Sequence, residues 1–217
     1  MAYLPLTAPW VDPAYSRVTA MQMTQYIPAQ AFKVWHHIPR FLTQASPVFE
    51  SSGILIRRLS SKSGTETANE DSSFLDANSR RIERDYGVSR AEQAELSRTA
   101  FRAMFNENTA GADSEALQCL RKGESSDWAA CSDYAHCAQT LAARERSTDG
   151  RVTVRTYFAA TDAMVGCRGQ KYFEGCWRAP GMEEPIDFTS KTIDGTDHDT
   201  LVQSVEVWEE IFAMAHR

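Results

Sequence analysis

Residues 151–166 read RVTVRTYFAATDAMVG and residues 186–201 read IDFTSKTIDGTDHDTL. The first opens on Arg151–Phe158, rich in β-branched and aromatic residues and preceded by the turn pair Asp149-Gly150, which predicts a strand. The second opens on Ile186–Ile193, which alternates apolar and polar residues between Pro185 and Asp194-Gly195, and predicts another strand. Between them, Gly166–Trp177 reads as a helix. After them, Thr200–His216 sets Leu201, Val205, Trp208, Ile211, Phe212 and Ala215 on one helical face, with Asp199 or Thr200 as N-cap. Strands that alternate with helices form a parallel sheet with helical cover, so these two stretches set the fold class as α/β.

Working outward, Met1–Ala8 is a short apolar run closed by Pro9, which predicts a further strand. Residues 14–45 have a mostly helical spacing interrupted at Pro28 and Pro39, so two or three short helices are expected. Residues 59–73 (LSSKSGTETANEDSS) carry nothing apolar larger than Ala after Leu59 and are expected to be a mobile surface loop. Residues 75–108 and 112–146 return to helix-favouring composition and predict several amphipathic helices. The order is strand, long helical insert, strand, helix, strand, helix. With 23 Lys+Arg against 29 Asp+Glu, the net charge of −6 argues against a nucleic-acid partner. No run approaches the ~18 apolar residues of a spanning helix, and the N-terminus lacks a basic n-region ahead of a long apolar stretch. No membrane association is therefore expected, and the simplest address is cytoplasmic. The five cysteines are odd in number and lack a C-x-x-C pair, which fits reduced thiols.

In a parallel sheet every strand delivers its C-terminal end to one edge, where α/β proteins place their chemistry. Asp162 follows the 151–158 strand and His198 follows the 186–193 strand. If they meet, the carboxylate holds the Nδ1 proton and Nε2 serves as general base. A lone Asp after a strand is commonly a turn residue or helix cap, and a lone His in a turn is commonly solvated. Asp194, Asp197 and Asp199 compete as partners of the histidine, and local spacing does not choose among them.

From Arg151 to Phe212 the chain resembles the end of an α/β-hydrolase of the type found among fungal natural-product and esterase-like hydrolases. YFAATDAMVG is similar to the family's acid strand, GTDHDTL with its following helix to the histidine loop, and YLPLTAPWVDPAYS to the sixth strand and its turn. The resemblance implies a partial α/β-hydrolase fold, with about three parallel strands at the C-terminal side of the sheet and a large helical cap. Residues 1–11 would be the first core strand, 12–126 the cap, and 127–217 the core segment carrying Asp162 and His198. It also exposes an absence, since the family's nucleophile sits in a G-x-S-x-G elbow. No two of the eleven glycines are four residues apart. Ser16, Ser46, Ser51, Ser52 and the cap cysteines are poor substitutes, reading instead as caps, loop hydroxyls and core thiols. The implied activity is hydrolysis of an ester, lactone or thioester of a small apolar metabolite, with acid and histidine present and the nucleophile absent. Losing a triad nucleophile costs on the order of 10⁶ in kcat, so little activity is expected of the chain alone. The expected partners are an N-terminal hydrolase half or a second copy, docking at an open sheet edge. The alternatives are a non-catalytic binding or partner-dependent module derived from a truncated hydrolase, and an isomerase or cyclase using His198 for acid/base work.

Trp35, His36, Phe101 and Phe105 are candidates to line an apolar substrate pocket, although helix packing explains them equally well. The adjacent His36 and His37 do not face one another on a helix. Cys131, His136 and Cys137 fall on one helical segment without i, i+4 spacing between the cysteines, and no phosphate-loop motif occurs. No metal or cofactor is expected.

Overall fold

A computed structural model of the chain describes residues 2–29, 65–106, 110–122 and 128–215. The chain divides into two compact units, one formed by Met1–Gln22 with Asp127–Arg217 and the other by Met23–Ser126. The first contains a three-stranded parallel sheet in the order β1 (Ala2–Thr7), β2 (Val152–Ala159), β3 (Ile186–Ile193). Each strand lies within a residue of its expected position. Leu4 stands opposite Val154, which stands opposite Phe188, so an apolar row crosses one face of the sheet from edge to edge.

That face is covered by α6 (Tyr134–Ser147) and α7 (Gly166–Trp177). Ala138 and Ala142 let α6 approach closely, while Phe173, Cys176 and Trp177 of α7 pack on Val152, Val154, Phe158 and Ile186. Phe173 is fully buried, with its ring 4.9 Å from that of Tyr134 and 6.0 Å from that of Phe158. Two short helices, α1 (Pro13–Ser16) and α2 (Thr19–Thr24), follow β1, and Tyr15 of α1 stacks on Tyr172 of α7 at 3.9 Å. Residues 12–22 thus belong with the sheet, and the helical unit starts at Met23 rather than at residue 12.

The opposite face is polar. Arg155 is bonded to Asp187 at 2.6 Å, and Lys191 bridges Glu206 and Glu210 of the last helix, α8 (Val205–Ala215). Two corrections apply to this helix. It starts at Val205, capped by the Ser204 hydroxyl, which accepts from the Val207 amide. Asp199 and Thr200 lie ahead of it, and Leu201–Gln203 form a separate 3₁₀ turn. Its buried residues are Val207 and Ile211, whereas Trp208 and Phe212 are 41% and 57% exposed and stack on each other. The apolar stripe therefore splits, because the polar sheet face gives it only a narrow seat.

In the second unit the helices are α3 (Thr65–Tyr86), α4 (Arg90–Asn106) and α5 (Ala110–Cys119). The loop expected over 59–73 is corrected from Thr65 onward, where α3 begins. The stretch contains no proline, and its one glycine, Gly64, precedes the helix. Asp76 of α3 accepts from Arg80 on the next turn and from Arg90 of α4, tying the two helices together. Ser89 and Glu92 form a reciprocal cap at the start of α4, with the Ser89 amide donating to Glu92 at 2.9 Å.

Candidate functional site

The ends of β2 and β3 are stitched together before either loop departs. The Ala160 amide donates to the Ile193 carbonyl at 3.2 Å. The Thr161 amide and hydroxyl both donate to the Thr196 carbonyl, at 3.0 and 2.9 Å. Thr196 is fully buried, and its hydroxyl donates to the Ile193 carbonyl at 2.7 Å. The two loops share one fixed base, and each continues from its threonine into an aspartate.

Asp162 uses its oxygens separately. Oδ1 accepts from the amides of Met164 and Val165, both at 2.8 Å, closing the turn that launches α7 at Gly166. Oδ2 lies 2.9 Å from Nδ1 of His198. The two functions that compete in the sequence, turn residue and histidine partner, are carried by one side chain. Asp197 is committed elsewhere, since its Oδ1 accepts from the Asp199 amide, the Thr200 amide and the Thr200 hydroxyl. That clamp holds the histidine loop in a tight turn, and the buried Leu201 anchors its far end, with its amide donating to the Asp197 carbonyl at 3.1 Å. Asp162 is therefore the partner of His198.

The Asp162 side chain is 4% exposed and that of His198 is 25% exposed. Burial opposes the charged carboxylate, but the His198 bond and charge, with the Val165 and Met164 amides, outweigh it and hold the carboxyl below its ordinary range. The carboxylate is then acceptor-only, which places the proton on Nδ1 and leaves the Nε2 lone pair as the basic site. Burial likewise opposes the imidazolium, yet the bond to Asp162 and the charges of Asp162, Asp199 and Asp197 raise the His198 pKa above its ordinary value. The arrangement suits proton transfer at Nε2 near neutral pH.

Compared with family models, curated proteins and solved structures, the chain finds no match.

Among the other expected site residues, Trp35 and His36 lie outside the described residues, as do the side chains of Phe101 and Phe105 on α4. Ser46, Ser51 and Ser52 also lie outside them. Ser16 is buried, with its hydroxyl donating to the Pro13 carbonyl at 3.2 Å and accepting from the Val18 amide at 3.3 Å, so it serves a turn. Among the described residues no group of three His, Cys, Asp or Glu is placed to hold a metal, and no helix is long and apolar enough to cross a membrane. Thr161 and Thr196 were not singled out in the sequence. Their signal was the same Thr-Asp pair at both strand ends, in AATDA and DGTDH.

Proposed function

We propose that the chain is an α/β-hydrolase-like protein that supplies the acid and base of an acyl-transfer site for an ester, lactone or thioester of a small apolar metabolite. The observation that supports this is the 2.9 Å Asp162–His198 bond between loops leaving neighbouring parallel strands. In this reading Asp162 orients the imidazole, and Nε2 of His198 takes the proton of an attacking hydroxyl and returns it to the leaving group. The helical segment serves as the cap, the attacking serine comes from a partner segment, and the protein acts in the cytoplasm. Hydrolysis by the chain alone is then weak. With p-nitrophenyl butyrate and added methanol or hydroxylamine as a substitute nucleophile, acyl transfer should be at least about tenfold faster with the wild type than with His198→Ala. Equal rates would overturn the general-base assignment. Labelling of a serine by a fluorophosphonate probe, lost in His198→Ala, would show that the nucleophile lies on this chain after all.

A second reading uses the same pair as a lone acid/base for isomerisation or cyclisation, which needs no acyl nucleophile. The commitment of the Ser16 hydroxyl to its own turn favours it. The non-catalytic reading, a binding module that retains the pair for structure, predicts instead that His198→Ala changes stability and no reaction.

A further inference from the structure

Among the described residues β3 pairs with β2 alone, and its outer side is open. The carbonyls of Pro185 and Ile193 accept from the amides of Val152 and Ala160, so the odd-numbered residues of β3 bond inward. By alternation Ile186, Phe188, Ser190 and Thr192 turn their backbone groups outward. The Ile186 amide is taken up by the Met182 carbonyl at 3.0 Å, whereas those of Phe188, Ser190 and Thr192 have no partner among the described residues. Their side chains do not shield the edge. The Ser190 hydroxyl donates to Glu174 of α7 at 2.7 Å, Gln170 of α7 donates to the Thr192 hydroxyl at 2.9 Å, and Phe188 stacks on Trp177, so all three lean back over the helix-covered face. The devices that ordinarily blunt an edge strand are missing. Residues 186–193 contain no proline, glycine or bulge, and Lys191 is held on the polar face by Glu206 and Glu210. Thr189, at the centre of the strand, is exposed.

We propose that the outer edge of β3 is a docking site for a second copy of the chain, the two strands pairing antiparallel about a two-fold axis at Thr189 and joining the two sheets into one. A two-fold seam must be reciprocal, and only outward-facing residues can exchange ladder bonds across it. With Thr189 opposite its own copy, Phe188 exchanges bonds with Ser190 of the second copy, and Thr192 donates to Ile186 of the second copy. Every open amide then finds a carbonyl. Between these pairs Asp187 stands opposite Lys191 of the second copy, once on each side of the axis. Charge selects this register. Sliding the strands one way sets Asp187 opposite Thr189 and then opposite itself, and sliding them the other way does the same to Lys191. The side chains of Asp187 and Lys191 are 33% and 39% exposed, so each stays open to a partner while bonded to Arg155 or to the two glutamates. Because the paired strands run in opposite directions, the two histidine loops lie at opposite edges of the joined sheet and do not cover one another.

The test is sedimentation equilibrium of the full chain over a dilution series, with substitutions at the exposed Thr189, where a longer side chain meets solvent and not the core. The wild type should sediment as a dimer that dissociates on dilution. Thr189→Lys and Thr189→Glu each set like charges face to face on the axis and should weaken dimerisation about fivefold or more. Mixed in equal amounts, the two variants should associate at least as tightly as the wild type, since opposite charges then meet. Hydrogen exchange gives a second reading, in which the amides of Phe188, Ser190 and Thr192 should exchange more slowly in the dimer than in the diluted monomer. The proposal is overturned if the wild type stays monomeric throughout the series, if both variants associate as well as the wild type, if the mixture associates no better than either variant alone, or if the three amides exchange equally fast in monomer and dimer.

Discussion

Asp162 carries two loads on two oxygens, and the two are separable by substitution. Asp162→Asn keeps an oxygen for the Met164 and Val165 amides but removes the charge facing Nδ1. The His198 pKa should fall relative to the wild type, read from its ring proton shifts in an NMR titration. Asp162→Ala should show the same fall and lose about 1 kcal/mol more in urea unfolding than the Asn variant, because both amides lose their acceptor. The pair also leaves a signature in stability against pH. Its lowered carboxyl contributes stability above the free value of 3.8, lost as pH falls through the folded value. Its raised imidazole contributes stability below the free value of 6.5, lost as pH rises through the folded value. The difference in unfolding free energy between wild type and His198→Asn should therefore be largest between about pH 4 and pH 6.5 and shrink on either side. A difference that stays constant from below pH 4 to well above pH 6.5 would deny the ion pair. Gly166, beside the site, has φ +68°, and an added Cβ would lie 2.7 Å from Cγ2 of Val18. Gly166→Ala should cost more than about 1 kcal/mol, and Val18→Ala should relieve the contact but not the backbone strain.

Among the elements, α7 bears on both core and site, since Asp162 closes the turn that launches it and Phe173 fills the middle of the core. Phe173→Ala should cost about 3–5 kcal/mol, measured by denaturant unfolding. Both long strands and the helix between them were legible in the sequence. Asp149-Gly150, Pro185 and Asp194-Gly195 mark the strand ends, and β2 and β3 keep their period of two or their β-branched content throughout. The last helix was less legible. Its stripe was read as one face because helical spacing alone does not reveal that the sheet beneath offers Arg155, Tyr157 and Lys191 instead of an apolar floor. Polar partners seat Glu206 and Glu210, and only Val207 and Ile211 find a buried place. The start of α3 was hidden for another reason, since Ser, Thr and Asn are poor helix formers alone but tolerable in a helix of 22 residues. Of the site, the pair was legible as two strand-end residues. The choice of Asp162 over Asp197 was not, because it depends on Asp197 spending its oxygen on the Thr200 turn.

For the whole molecule, the outer edge of β1 bears on the expectation that the chain associates there. The Ala8 amide donates inward to the Tyr157 carbonyl, so by alternation the outward groups of β1 belong to Tyr3, Pro5 and Thr7. Pro5 has no N–H, and the outer edge therefore lacks a donor at its middle, as edge strands commonly do. This weakens the expectation that a second copy or a further strand pairs there with a full ladder. Pro5→Val, which restores the donor, should raise the sedimentation-derived association constant above that of the wild type. Equal values would show that β1 does not govern association. The bond from the Thr161 amide to the buried Thr196 carbonyl has a kinetic meaning as well. That hydrogen can exchange with deuterated solvent only when the acid loop parts from the histidine loop, so its lifetime is a clock for opening of the site. If opening requires unfolding of the sheet, Thr161 will exchange as slowly as the central amides of β2. If the loops separate on their own, it will exchange faster, and the difference measures how rigidly the backbone holds Asp162 against His198.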